Sequence, residues 1–540
     1  MTNSIADIVE QANAYLIIGS NTTEQHPVIG IQLRQAVKRR GAQIVLADPR
    51  RLDLADIAAI HLQHKPGTDI ALINGLMNVI ISEELWDKES VANRTEGFEE
   101  MQALVHKYTP EYAAQITGVP AEKIRRAARL LATTKPAALL YAMGITQHTC
   151  GHQNVLSCAN LQMLLGNMGI PGGGVNPLRG QNNVQGACDM GGLPNVYTGY
   201  QAVTIEAVQN KFEEAWGVPL SGKVGTTVVH MFNQAEAGEI RAMYVIGENP
   251  VMSDPDAGHV AKCIESLDFL VVQDIFLTET ARLADVVLPA VSFAEKDGTF
   301  TNTERRIQRL HKAIEPVGES RADWEILADL ATRIQAKRQM PQPRGAFASW
   351  AYAHTSEIMD EIAALTPIYG GISYERIEEV GLQWPCPTFD HPGTSILHVG
   401  RFSRGIGHFS AVEWQPPAEE PDEAYPLVLT TGRVLEHFHT GTMTRRVEGL
   451  DQLEPEERLR IHPADAARLD LDDGAWTLVA SRRGQIRVRA HLTKKVRPGV
   501  VFLTFHFAEA LGNVLTNPAL DPVAKIPEYK VCAVKVSAEA

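Results

Sequence analysis

AYLIIGSNTTEQHPVIGIQLRQAVKRRGAQIVLADPRR, residues 14–51, decides the fold. Ala14–Ile18 is a short unbroken apolar run, the pattern of a strand buried on both faces of a parallel sheet, and it ends at Gly19-Ser20-Asn21. From Val28 to Arg39 the residues Ile29, Leu33, Ala36 and Val37 return at helical spacing. A second apolar run, Gln43–Ala47, ends at Asp48-Pro49-Arg50-Arg51. Strand, turn, helix and strand in this order predict a parallel βαβ crossover, whose ligands sit beyond the carboxyl ends of the strands. Gly19, Asn21, Asp48 and Arg50 all fall there.

Working outward, helical patterns cover 69–83, 95–108 and 120–133. Another buried strand, Pro136–Tyr141, leads into Met143-Gly144-Ile-Thr-Gln147-His148, and a helix over 152–166 runs into Pro171-Gly-Gly-Gly174. Residues 176–189 have neither period, so they read as a loop, and a long loop inside a domain is usually functional. The strand-and-turn pattern then repeats: Ala242–Ile246 before Gly247-Glu-Asn249, Phe269–Gln273 before Asp274, and Ala284–Pro289. Residues 305–385 read as helical and irregular. The Pro- and acid-rich stretch 416–423 is a linker, and past it the texture is β. Leu427–Thr430 and Trp476–Ala480 are strand runs. Gln485–Thr493 alternates strictly after an Arg483-Gly484 hairpin turn, and Tyr529–Val536 closes the set. The expected architecture is α/β: two Rossmann-like parallel-sheet domains, residues 1–184 and 185–304, a helical and irregular section 305–415, and a C-terminal β-barrel, 422–540.

Composition narrows the function. Hydrophobic residues make up 44% of the 540, enough for sizeable cores and too many for wholesale disorder. Fifty Lys and Arg against 64 Asp and Glu leave a net charge of −14, which argues against a nucleic-acid partner and requires any anionic ligand to be held by a local pocket. No apolar run approaches a membrane span, and the N-terminus lacks a signal-peptide pattern. The six cysteines are scattered, with no CxxC pair, as expected of reduced thiols in a cytoplasmic protein.

Several segments carry chemistry. The Gly19-Ser20-Asn21 turn lets backbone N–H groups approach a phosphate, but it is not a GxGxxG, which disfavours an ordinary NAD site. Asp48 is placed to accept from a ribose hydroxyl or a guanine N–H; capping a helix or pairing with Arg50 or Arg51 would also account for it. Lys65-Pro-Gly67-Thr-Asp69 precedes a helix, with Asp69 as its expected N-cap. Arg179-Gly180-Gln-Asn182-Asn-Val-Gln-Gly-Ala-Cys-Asp189 offers a guanidinium and several side-chain amides to a heteroatom-rich ligand. Cys188 has no Cys or His beside it and reads as a buried thiol. His437-Phe-His439 has no third ligand at recognisable spacing, so pocket lining is expected there and no metal site.

On these residues the chain resembles the large catalytic subunit of the molybdenum/tungsten bis-pterin-guanine-dinucleotide formate dehydrogenases, in the dimethyl sulfoxide reductase superfamily. The likeness runs through IIGSNTTEQHP (17–27), DPRR (48–51), HKPGTDIAL (64–72), MGITQH (143–148), NPLRGQNNVQGACDMG (176–191), GENPVMSDPD (247–256), EKDGTFTNTERR (295–306), TTGRVLEHFHTGTMTRR (430–446) and EYKVCAV (528–534). The segment from Asn176 to Asp189 is the most specific of these. The resemblance implies bis-molybdopterin guanine dinucleotide with Mo or W. One dinucleotide arm would be held by Gly19, Asn21, Asp48, Arg50, Gly67 and Asp69. Met143, Gly144, Gln147, Gly180 and Asn182 would also touch cofactor, and Gly247, Asn249 and Asp274 would hold the other arm. The barrel would cap the pterins, with Arg433, His437, His439 and Thr440 near one, and Asn517 and Lys530 near the other. Arg179 would orient formate for oxidation to carbon dioxide. Electrons would pass to iron–sulfur or diaphorase subunits.

Members of that family begin with a four-cysteine 4Fe–4S segment, a lysine, and a metal-ligating Cys or selenocysteine followed by His. No Cys precedes Cys150 here and no Cys-His pair occurs. The expectation is therefore a C-terminal portion of such a subunit, beginning just past the Cys/selenocysteine-His position, with the cluster expected only in the missing segment. An internal stop-type selenocysteine codon would give a reading frame that starts at such a place. A nitrate or other oxyanion reductase of the same superfamily, and a non-catalytic cofactor-binding or structural module, are the alternatives. The Asn176–Asp189 segment disfavours the first, and the retained Gly19, Asp48 and Arg179 disfavour the second.

Overall fold

The computed structural model describes residues 1–340 and 344–539. Its first sheet has five parallel strands: β1 (Ala14–Ile18), β2 (Gln43–Ala47), β3 (Ile60–Leu62), β4 (Ala137–Tyr141) and β5 (Val175–Pro177), in the order β3-β2-β1-β4-β5. The sequence doubles back between β1 and β4, which makes that gap the topological switch point of a doubly wound sheet. A second, three-stranded parallel sheet comprises β6 (Ala242–Ile246), β7 (Phe269–Asp274) and β8 (Val286–Pro289), ordered β8-β7-β6. A third, antiparallel sheet joins β9 (Gly298–Thr301), β10 (Arg306–Leu310) and β11 (Leu382–Gln383). Last comes a closed barrel of β12 (Leu427–Gly432), β13 (Arg458–Ile461), β14 (Trp476–Ala480), β15 (Gln485–Leu492), β16 (Val500–Thr504) and β17 (Cys532–Ala538), ordered β12-β16-β13-β15-β14-β17. The parallel α/β sheets and the terminal barrel match the expected fold class.

The chain forms two compact units, one of residues 1–180, 250–260 and 396–540, the other of residues 181–249 and 261–395. In the first unit, alternate residues of the five-stranded sheet feed two cores. Leu16, Ile18, Ala47, Leu139 and Tyr141 pack with Leu72, Leu76 and Ile80 of the helix Asp69–Ser82 on one face. Tyr15, Ile17, Leu46 and Leu140 pack with Ile29, Leu33 and Ala36 of the helix Pro27–Arg40 on the other. Burial on both faces explains why these strands read as unbroken apolar runs. The barrel has its own core around Leu429, Leu459, Ile461, Val479, Val488, Val501 and Val534. In the second unit, Ile307, Met359, Tyr369, Ile372 and Ile377 close another core.

Three expectations are corrected. Residues 176–189 are not all loop: Asn176 and Pro177 finish β5, and Val184–Asp189 is a helix. Pro177 is tolerated because β5 is an edge strand. The short helix turns Gln185, Gly186 and Asp189 inward, so no apolar period marks it. The expected helix 95–108 starts late. Thr95-Glu96 pairs as a short strand with Gly407-His408, and Gly97 at φ 77° turns the chain before the helix Phe98–Val105. Finally, 305–385 contributes strands β10 and β11 as well as helices.

Candidate active site

At the switch point two backbones cross. Gly19, at φ 58°, follows β1, and the Gly144 N–H donates to its carbonyl at 3.0 Å. A Cβ on Gly19 would lie 2.7 Å from the Gly144 carbonyl carbon, and one on Gly144 would lie 2.6 Å from the Gly19 Cα. Both glycines are thus demanded by chain geometry. Met143 is exposed and Gln147 half-buried beside them. Asn21 is buried; its Oδ1 accepts from Thr23 Oγ1 at 3.2 Å, while its Nδ2 has no protein partner. Gln25 Nε2 is buried in the same state within the next turn. Two buried polar atoms without partners in one turn are unusual outside a binding site. Arg179 emerges from the end of β5, and its carbonyl accepts from His26 Nε2 at 2.7 Å.

Beyond β2, the Asp48 carboxylate accepts the Arg50 N–H at 2.8 Å, forming a local turn, while Arg51 pairs with Asp56 at 2.7 Å. Burial raises the Asp48 pKa against the pull of Arg50. The Arg50 guanidinium lies 4.0 Å over the Phe502 ring. Lys530 Nζ donates to the Thr431 carbonyl at 2.8 Å. Burial, helped by the positive charges of Arg50 and Arg433, pushes the lysine down to about 7. Arg433 packs against Gly180, where a Cβ would lie 2.9 Å from its Nη1, and its guanidinium faces the rings of Phe438 and Phe505 at 5.7 and 5.6 Å. Burial lowers Arg433 to about 10, which leaves it charged. Among the described residues neither Arg433 nor Lys530 forms an ion pair. Positive charge buried without an ion pair is costly. A dinucleotide's diphosphate would neutralise it, so this donor set fits the cofactor implied by the resemblance.

Asp69 is the first helical residue, and the N-cap is Thr68. The aspartate is instead engaged sideways, accepting from buried His64 Nε2 at 3.0 Å with His148 3.9 Å away. Burial opposes both charges, but the pairing overrides it, lowering Asp69 and raising His64. Gly67, at φ 75°, faces Pro417 and Val531 closely enough that a Cβ would lie 3.0 Å from the proline ring.

Several barrel residues are committed to their own loops. His437 donates from Nε2 to the Glu454 carbonyl at 2.7 Å, which leaves it braced within the protein. Thr440 and Thr442 hydroxyls pair at 2.9 Å. Asn517 donates to the Val531 carbonyl at 2.8 Å and accepts from the Ala519 N–H at 3.0 Å. His439 sits at φ 50°, with burial lowering its pKa to about 4. His506, which no sequence signal singles out, accepts the Val434 N–H at Nε2 (3.2 Å) and donates from Nδ1 to the His439 carbonyl. One imidazole, held near 3 by burial and therefore neutral, ties both ends of the loop beyond Arg433.

In the second unit Asn182 is exposed and Cys188 is half-buried, where a buried thiol was expected. Gly247, at φ 62°, follows β6 with open space where a Cβ would be. Asn249 donates to Glu279 at 2.7 Å and accepts twice from Thr280, so its side chain braces the strand-end turns. Asp274 Oδ1 accepts the Ile275 N–H at 2.7 Å. Asp189, wholly buried, takes four donors: Gln185 at 2.7 Å and Tyr200 at 2.8 Å on one oxygen, Tyr369 and Trp384, each at 2.7 Å, on the other. It anchors the helix Val184–Asp189.

Comparison with known proteins gives the family and the fold. A family model described as molybdopterin oxidoreductase matches residues 1–333, and one described as the molydopterin dinucleotide binding domain matches 427–533. The chain is 49% identical over 539 residues to the F420-dependent formate dehydrogenase 1 subunit alpha of Methanococcus maripaludis, covering 99% of this chain and 78% of that one. It is 51% identical over 538 residues to the corresponding subunit of Methanocaldococcus jannaschii, with the same coverage. With formate dehydrogenase H of Escherichia coli it shares 42% over 543 residues, 99% of this chain and 74% of the relative. Among solved structures, acetylene hydratase from Pelobacter acetylenicus matches with a TM-score of 0.75 at 22% identity, covering 99% of this chain and 79% of that one, a likeness of fold.

Proposed function

We propose that this chain, which belongs to the molybdopterin oxidoreductase family, is the cofactor- and substrate-holding portion of a formate dehydrogenase alpha subunit. A pterin cofactor with Mo or W follows from the family; that it is a pair of guanine dinucleotides is our reading. Its support is the pair of parallel sheets, each presenting turns at its carboxyl ends. In this reading Asp48 receives the guanosine end of one arm, and Arg50 and Lys530 meet its diphosphate. Asn21, whose Nδ2 is buried without a partner, donates to the same ligand. Gly19 and Gly144 shape the floor by their crossing, with Met143 and Gln147 at its rim. Gly247 and Asp274 lie along the second arm, where Asn249 braces the turn. His437, Thr440 and Asn517 act by fixing loops.

The observation that carries the substrate assignment is the place of Arg179, at the carboxyl end of the sheet, next to a glycine on which Arg433 packs. A guanidinium fork pairs with both oxygens of a carboxylate and so fixes the direction of the formate C–H bond. The positive charge of Arg433 favours the same anion. Formate loses two electrons and a proton to become carbon dioxide; when bound, the metal centre supplies the acceptor for the electrons. In this reading the electrons pass onward to iron–sulfur or diaphorase subunits. Among the described residues no helix is long and apolar enough to cross a membrane. The placement in the cytoplasm is our reading of the scattered, free cysteines.

The test is formate-dependent dye reduction by an intact version of the enzyme, purified with its cofactor, in wild type and Arg179→Lys. The lysine keeps the charge and loses the fork, and a loss of on the order of 2–4 kcal/mol in kcat/KM is expected. Unchanged turnover in the variant refutes the role of Arg179. Nitrate reduction in place of formate oxidation would favour an oxyanion reductase.

A further inference from the structure

His26 belongs to the turn after β1, yet neither the sequence reading nor the function above gives it a task. Its main chain is pinned from both sides. It ends the short helix Thr22–Gln25, with its N–H donating to the Thr22 carbonyl at 3.1 Å, and its own carbonyl accepts the Gly30 N–H at 2.9 Å. Pro27 follows and restricts the backbone further. The imidazole therefore leaves from a fixed base. Its Nε2 meets the carbonyl of Arg179, 153 positions along the chain, at 2.7 Å. A carbonyl only accepts, so Nε2 carries the proton and Nδ1 keeps its lone pair. Burial, with the nearby charge of Arg433, lowers the imidazole pKa and keeps that neutral tautomer in place.

The carbonyl in question belongs to the peptide joining Arg179 to Gly180, and Arg433 packs on Gly180. This peptide is held by His26 at its oxygen and by Arg433 beside its glycine. Held there, it sets where the Arg179 side chain starts. We propose that His26 is a positioning residue: through the Arg179 carbonyl it fixes the direction in which the Arg179 guanidinium meets the substrate carboxylate. The inference rests on the reading of Arg179 given above.

Two substitutions separate the atoms of the ring. Glutamine places an N–H near the position of Nε2, and asparagine near that of Nδ1. His26→Gln should keep kcat/KM for formate within about twofold of wild type, whereas His26→Asn should lower it about five- to tenfold, mainly through KM, the worth of one hydrogen bond. Molybdenum and guanine content should be equal in all three proteins. Backbone amide exchange in peptides covering 176–183 should quicken in His26→Asn and not in His26→Gln. Asparagine and glutamine variants that behave alike, or an asparagine variant that matches wild type, overturn the proposal. Arg179→Lys, run alongside, separates the two readings. If it is impaired and His26→Asn is not, only the role of His26 falls; if it is not impaired, both fall.

Discussion

Replacing Gly19 by alanine should be among the most damaging one-methyl changes in the first unit. Two penalties add. At φ 58° an alanine sits in the left-handed region, which costs about 1–2 kcal/mol. Its Cβ would also lie 2.7 Å from the Gly144 carbonyl carbon, 2.8 Å from the Ile145 nitrogen and 3.0 Å from the Gly144 Cα. All three are backbone atoms, at the end of a strand buried on both faces, so relief requires moving β1 or β4. Overpacking of this kind adds roughly 1–3 kcal/mol. Gly41 is the control. It too is left-handed, at φ 70°, in the same unit, but nothing lies within 4 Å of where its Cβ would be. Gly41→Ala should cost only the backbone part, about 1–2 kcal/mol, and Gly19→Ala about 2–5 kcal/mol. Urea midpoints read by far-UV circular dichroism on wild type and both variants test the difference. Equal midpoints for the two variants would refute the backbone crossing as the reason for glycine, leaving ligand approach as the explanation of Gly19.

Asp48→Ala should lower bound guanine nucleotide, measured after acid denaturation, while leaving the circular dichroism spectrum unchanged; wild-type occupancy would reduce Asp48 to a turn-former around Arg50. Glu457 is buried under β16, accepting from both the N–H and the hydroxyl of Thr504, and burial raises its pKa from 4.5 to about 7. A carboxyl raised on folding contributes stability below pH 4.5 that is lost as pH climbs to 7, about 3 kcal/mol in all. Glu457→Gln should therefore flatten the decline in urea midpoint between pH 5 and pH 8, and parallel profiles would contradict it. Asp189→Asn should leave two of the four donors around the carboxylate facing an amide N–H, costing the second unit about 2–4 kcal/mol. Trp384 reports this directly by fluorescence, and a loss under about 1 kcal/mol would count against the anchor.

Local sequence determined the elements that bury a repeating face. The runs at 14–18, 43–47 and 137–141 and the alternation at 485–492 announce their strands, because burial on two faces or one leaves an apolar period of fixed form. The turns at the strand ends, and so Gly19, Asn21, Asp48 and Arg179 as candidates, follow from the same reading. Tertiary structure alone decided which of these side chains are committed elsewhere. Asn249, His437 and Asn517 look like free polar groups in the sequence and are each held by partners in their own unit. Asp69 reads as a cap and turns out to face His64 across a buried contact. The short helix Val184–Asp189 is hidden because it buries an amide and a carboxylate, which carry no apolar period. His26 and His506 were silent for the same reason. A buried polar group is defined by the partner that satisfies it, and for His26 that partner lies 153 residues away, a distance no local pattern encodes.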